Sequence, residues 1–226
     1  GVTAPVPPPR LTPTEQRAPA ERRAKDERAW AWRLLRGEGS ERTPLLDAIT
    51  RGTGTRIVLL GDPGSGKTTF VNYLTFLLAA DDRAAPDALR GQLVVRLILR
   101  EVIAQHIPPK ADKGTAQMLW NALKADVAAL LGQDAADLLL PYLRQRLLKD
   151  GGFILLDGLD EVPEAQQRRQ VVLEAVSAWV DSLPGKTTRV LITARPYAYA
   201  DQRWQLKGFS IFALAPFSEE QVQRFI

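Results

Sequence analysis

With 226 residues, 45% of them hydrophobic, the chain can hold one sizeable α/β domain plus a small appendage. Its 30 Lys and Arg against 26 Asp and Glu give a formal charge of +4, but the signs are interspersed, which reads as a solvated surface and not as a nucleic-acid partner. The absence of cysteine excludes disulfides, thiolate zinc sites and cysteine nucleophiles. No apolar run reaches the ~20 residues of a membrane helix, and the amino terminus lacks the regions of a signal peptide, so a cytoplasmic setting is expected.

Residues 1–20 carry Pro5, Pro7, Pro8, Pro9, Pro13 and Pro19 with almost no large apolar side chain, and read as a flexible linker. From Glu21 to Arg36 the pattern turns charged and helical. Trp30, Trp32, Leu34 and Leu35 near its end call for packing against a core, because tryptophan is seldom left in water. Residues 40–55 read as a capped helix, with Ser40 or Thr43 ahead of Pro44 and a stop at Gly52 and Gly54. Residues 21–54 together form a helical arm.

The first strand is Arg56 to Leu60, and an amphipathic helix from Lys67 to Ala79 follows, with Phe70, Leu74, Leu77 and Leu78 as its apolar stripe. Between them lies Gly61-Asp62-Pro63-Gly64-Ser65-Gly66-Lys67-Thr68, which matches G-x-x-x-x-G-K-[ST] in the required strand-to-helix context. The glycines admit backbone shapes closed to other residues, so successive N–H groups can curl around a phosphate, and the helix adds the positive end of its dipole. The binding set is Gly61, Asp62, Pro63, Gly64, Ser65, Gly66, Lys67, Thr68 and Thr69. In it Lys67 serves the β- and γ-phosphates, and the Thr68 hydroxyl serves Mg²⁺.

A second strand is expected at Gln92 to Leu99, closed by Arg100-Glu101. A loop containing His106, Pro108, Pro109 and Lys110 then leads to helices at 116–131 and 135–148, the latter interrupted early by Pro141. His106 has no partner at ligand spacing and reads as a surface residue. Phe153-Ile154-Leu155-Leu156 reads as a strand buried on both faces, which brings Asp157 to its carboxyl end, where open parallel sheets bind ligands. Asp157 is therefore the second candidate for Mg²⁺, beside Thr68. Asp160 and Glu161 follow within a turn, placed to orient or deprotonate a water. A helix over 165–183 presents Val172, Val176, Trp179 and Val180, and strands at 189–193 and 209–214 complete a βαβ alternation that implies a parallel sheet. Opening on Gly1 and ending at Phe225-Ile226 within an apparent helix, the chain reads as a piece of something longer.

The phosphate loop, Asp157-Gly158-Leu159-Asp160-Glu161 and Thr193-Ala194-Arg195-Pro196, in this order, resemble the NACHT domain of the STAND class of P-loop NTPases, NLR-like signalling ATPases of prokaryotic kind. Leu214 to Gln221 resembles that family's entry into its first helical subdomain. The resemblance implies a three-layer α/β P-loop fold with a five-stranded parallel sheet in the order 5-1-4-3-2. It divides the rest of the chain into a nucleotide-binding domain at 55–214 and the start of the helical subdomain at 215–226. It gives Arg195 a γ-phosphate-sensing role, with pairing to a neighbouring carboxylate as the alternative. Thr193 is a weaker candidate for a polar contact there, and Arg42 to Pro44 for a contact to the base. The implied ligands are ATP or ADP with Mg²⁺.

The function implied is a nucleotide-operated switch that hydrolyses ATP slowly and controls self-association and effector signalling in a larger protein, with innate immunity or antiphage defence as the setting. Its trigger and effector stay unspecified. A AAA+-type motor and a non-hydrolysing nucleotide-binding scaffold are the alternatives. Asp160 and Glu161 weigh against the scaffold, and no arginine finger is evident after the fourth strand to favour the motor.

Overall fold

A computed structural model of the chain describes residues 2–3, 29–30, 33, 42–51, 55–80, 83–162, 168–200, 205–215 and 223. Along it run β1 (Val2–Thr3), β2 (Arg42–Thr43), α1 (Leu45–Arg51), β3 (Arg56–Leu60), α2 (Lys67–Ala79), β4 (Val94–Ile98) and α3 (Leu99–His106). There follow α4 (Ala116–Leu131), α5 (Gln133–Asp150), β5 (Phe153–Asp157), α6 (Arg168–Ser182), β6 (Arg189–Ala194), α7 (Pro196–Tyr199) and β7 (Ser210–Leu214).

Five of these strands are parallel neighbours in the order β7-β3-β6-β5-β4, which is 5-1-4-3-2 when the five are counted along the chain. This is the sheet order that the resemblance implies. Side chains alternate between its two faces. Ile57, Leu59, Phe153, Leu155 and Leu191 pack with α1 and α2, while Val58, Leu60, Ile154, Leu156, Val190 and Ile192 pack with α3, α4 and α6. The result is three layers with the sheet in the middle, and both its faces are apolar because both are covered.

All five residues of β5 are buried, Asp157 included. Burying Phe153, Ile154, Leu155 and Leu156 contributes roughly 6–12 kcal/mol as an upper bound. A one-residue slip would turn these side chains, and Asp157, to the opposite faces, so the same apolar run that builds the core also fixes where the carboxylate stands.

Several elements differ from the sequence reading. The sheet continues past β7 with two short antiparallel strands: Val2 pairs with Leu214, Thr3 with Ala213, and β2 with β1. Val2 and Thr3 lie in the stretch read as linker; Val2 is fully buried, which supplies the hydrophobic purchase that a proline-rich stretch otherwise lacks. The rest of residues 1–20 lies outside the described residues, as does nearly all of 215–226. The capped helix read over 40–55 is shorter, Leu45–Arg51, because Arg42–Thr43 is drawn into the sheet edge. His106 ends a helix instead of sitting in a loop, because Leu99, Val102 and Ile103 at helical spacing are buried. α5 runs unbroken through Pro141. The carbonyl that this proline leaves without a donor belongs to Asp137, which is exposed to water. In α2 the buried stripe is Val71, Leu74, Leu77 and Leu78, with Phe70 only partly covered. From the N-terminal arm Trp30 is buried in the core, as its side chain demands; its neighbours Trp32, Leu34 and Leu35 lie outside the described residues.

Candidate nucleotide site

β3 ends at Leu60 and the chain turns at once. Gly61 donates its N–H to the carbonyl of Ala194, the last residue of β6, at 3.2 Å, which fastens the start of the loop to the neighbouring strand. A side chain on Gly61 would begin 2.5 Å from Ser65 Oγ and 3.3 Å from Lys67 Cγ, so a larger residue there would have to turn the Ser65 hydroxyl aside. Gly64 and Gly66 stand at φ +76° and +89°, backbone that other residues seldom adopt, and Gly66 then starts α2 by accepting from Phe70 N–H at 2.8 Å.

The Lys67 ammonium folds back over the loop and donates to the carbonyls of Gly61 (2.6 Å) and Asp62 (2.9 Å). Burial pushes its pKa below the usual lysine value. The charge of Asp160 opposes that shift, that of Arg195 adds to it, and those of Asp62 and Asp157 oppose it. Thr68 and Thr69 at the start of α2 are exposed, and the Ser65 hydroxyl is buried with no hydrogen-bond partner.

Across the strand ends lie the acids. Asp157, at the end of β5, is buried. It receives the Thr193 hydroxyl at Oδ1 (2.6 Å) and has Arg96 Nη2 3.5 Å from Oδ2. The same Thr193 hydroxyl accepts from Gly158 N–H at 2.8 Å. Gly158, at φ +84°, turns the chain into a single 3₁₀ turn, Leu159–Glu161, and a side chain there would press on Glu161 Cδ at 3.2 Å. That turn aims Asp160 at the end of β6. Arg195 there meets it twice, backbone N–H to Oδ1 (3.1 Å) and Nε to Oδ2 (2.8 Å). The Asp160 carboxylate is 6% exposed and the Arg195 side chain 49%, so the guanidinium forms the outer wall of the pair. Glu161 faces Arg100 at 3.3 Å on the rim.

Every residue singled out in the phosphate loop and acidic motif thus stands at the carboxyl ends of β3, β5 and β6. Arg195 makes the carboxylate pair that was the alternative to a phosphate contact, and Thr193 binds Asp157. Arg42 and Thr43 form an edge strand on the far side of β7. Two arginines from outside the motifs join the site, Arg96 at Asp157 and Arg100 at Glu161. The sequence signal for Arg96 is a lone cation in an apolar strand; Arg100 lies in the first turn of α3 and does not close the strand.

The loop suits a phosphate on two counts: left-handed backbone at Gly64 and Gly66, with open space beside both, and a buried Ser65 hydroxyl left without a partner. For a divalent ion, the described residues form no group of three or more His, Asp or Glu able to hold a metal. The donors present are the hydroxyl of the exposed Thr68 and the buried carboxylate of Asp157, oxygen ligands of the kind Mg²⁺ takes together with substrate phosphates. A phosphate loop and two strand-end acids on a parallel sheet in the order 5-1-4-3-2 define a P-loop NTPase domain. A family model described as NACHT domain matches residues 55–226, and the chain belongs to that family, a STAND-class nucleotide-binding NTPase domain. No curated protein matches the chain. Among the described residues, no helix is long and apolar enough to cross a membrane.

Proposed function

We propose that this domain binds ATP and ADP, hydrolyses ATP slowly and serves as the nucleotide switch of a larger cytoplasmic STAND signalling protein, controlling its self-association and effector activation. Innate-immune or antiphage defence is the setting that family membership suggests. The observation that carries the reading is the Lys67 ammonium folded over the carbonyls of Gly61 and Asp62, in a loop whose Gly64 and Gly66 take left-handed backbone, with Asp157 and the Asp160–Arg195 pair at the neighbouring strand ends.

In this reading the N–H groups from Gly64 to Thr69 and the Lys67 ammonium hold the phosphates. Thr68 would hold Mg²⁺ directly, and Asp157, with one oxygen engaged by Thr193 and the other facing Arg96, would hold it through a water. When bound, Mg²⁺ supplies charge neutralisation on the phosphate oxygens. Asp160 orients the attacking water, held in one rotamer by its two bonds from Arg195, and Glu161 supports it from the rim. Arg195 engages Asp160 through Nε and lies on the outer wall, where its charge can face a γ-phosphate. Sensing ATP against ADP then amounts to a change in how Arg195 divides its charge between Asp160 and that phosphate.

Without an arginine supplied by a partner, such a site is slow, on the order of 10⁻⁴ per second as for intrinsic Ras-type turnover. Light scattering combined with steady-state phosphate release tests the proposal on the chain. It requires a monomer with either nucleotide and sluggish turnover. A nucleotide-dependent ring turning over several times per second would make the domain a motor, and nucleotide binding with no turnover would make it a scaffold.

A further inference from the structure

Arg96 occupies the middle of β4, between Val94-Val95 and Leu97-Ile98, on the face of the sheet that α2 covers. Its register partner on β5 is Leu155, and two residues on Ile98 pairs with Asp157. A cation at such a position is costly unless something compensates it. The side chain is only 27% exposed, and its Nη2 lies 3.5 Å from Asp157 Oδ2. Thr193, reaching from β6 on the other side of β5, donates to Oδ1. The carboxylate is therefore gripped from both neighbouring strands, one oxygen by a neutral donor and one by a positive charge.

The two grips differ in consequence. A hydroxyl orients Asp157 without altering the local charge, whereas a guanidinium repels any cation brought to the same carboxylate. Taking the site as a Mg-nucleotide site, we infer that Arg96 is a positioning residue that aims Asp157 and, by its charge, weakens the hold of the bare site on the divalent ion. The ion then enters and leaves together with the nucleotide. Arg96 acts through Asp157 and touches neither nucleotide nor ion.

The test is calorimetric titration of ADP into the whole chain at stepped Mg²⁺ concentrations, beginning in EDTA. Arg96→Gln keeps a donor and removes the charge. Its ADP affinity in EDTA should equal that of wild type, while the Mg²⁺ concentration at half effect should fall about fivefold, the size expected for a unit charge near a dication in a water-like dielectric. Arg96→Lys, which restores the charge, should return the midpoint to wild type. Arg96→Met, similar in bulk and also neutral, serves in place of the Gln variant if that one fails to fold. A purely structural role for Arg96 would lower affinity at every Mg²⁺ level and leave the midpoint fixed, which overturns the inference, as does a Lys variant shifted as far as the Gln variant. Wild-type chain that binds no ADP at any Mg²⁺ level overturns the reading of the site itself. Wild-type binding together with an unmoved Arg96→Gln midpoint overturns this inference alone.

Discussion

Replacing Thr193 by Val removes one oxygen atom from a side chain with no exposed surface and nearly preserves its shape. Two hydrogen bonds go with it. Gly158 loses the acceptor for its N–H, and Asp157 loses the donor on Oδ1. A stranded buried N–H costs about 1–3 kcal/mol and a lost bond to a charged group about 1.5–3, so the variant should be less stable by about 3–5 kcal/mol. In a domain of this size that lowers Tm by roughly 6–20 °C. Thr193→Ser keeps the hydroxyl and gives up only a buried methyl, about 1 kcal/mol, so its melting point should fall by a few degrees at most. Thermal melts of the three proteins followed by far-UV circular dichroism measure the difference. A Val variant that melts with wild type, or a Ser variant that melts below the Val variant, would refute the claim that the hydroxyl joins β6 to the acidic turn.

Asp160→Asn should still bind ATP and lose phosphate release, because the water needs a charge and not bulk; if Glu161→Gln alone abolished turnover while Asp160→Asn kept it, the two roles would exchange. Arg195→Ala should weaken ATP binding more than ADP binding in paired titrations, and equal losses would leave this arginine only its bond to Asp160. Tyr199, buried and accepting from Leu206 N–H at 3.0 Å, has its phenol pushed up to about 12 by burial, a proton held more tightly when folded. The stability this confers is complete below the unfolded pKa of about 10 and is lost as pH rises through the folded one, a span of roughly 2–3 kcal/mol. Urea titrations between pH 9 and 12 should therefore show a steeper decline for wild type than for Tyr199→Phe, and parallel slopes would count against the burial argument.

The phosphate loop and acidic motif could be read from the sequence because each is a local string whose chemistry depends on neighbours a few residues away. The parallel sheet was readable for a related reason: Phe153 to Leu156 and Ile57 to Leu60 are short continuous apolar runs bounded by glycines, the pattern of strands covered on both faces. What escaped depends on contacts between distant segments. Arg96 and Arg100 meet Asp157 and Glu161 only because β4 lies beside β5, and no spacing within β4 reports that adjacency. The pairing of Val2–Thr3 against β7 was hidden by the prolines around it. The helix over Leu99–His106 was legible in principle, since Leu99, Val102 and Ile103 repeat at intervals of three and one, but the neighbouring Pro108 and Pro109 drew the reading toward a loop. For Arg195 the sequence left a phosphate contact and a carboxylate pair open. The geometry shows the pair with Asp160 and leaves the phosphate contact to binding measurements.

The most direct measurement is a calorimetric titration of ADP and ATP, each with Mg²⁺, into wild type and Lys67→Ala. Lys67 now spends its ammonium on the carbonyls of Gly61 and Asp62, a position from which it can turn to a phosphate. If the loop is the nucleotide site, wild type binds both nucleotides, and the Ala variant, folded by circular dichroism, binds neither. Unchanged affinity in that variant would contradict the account at its centre.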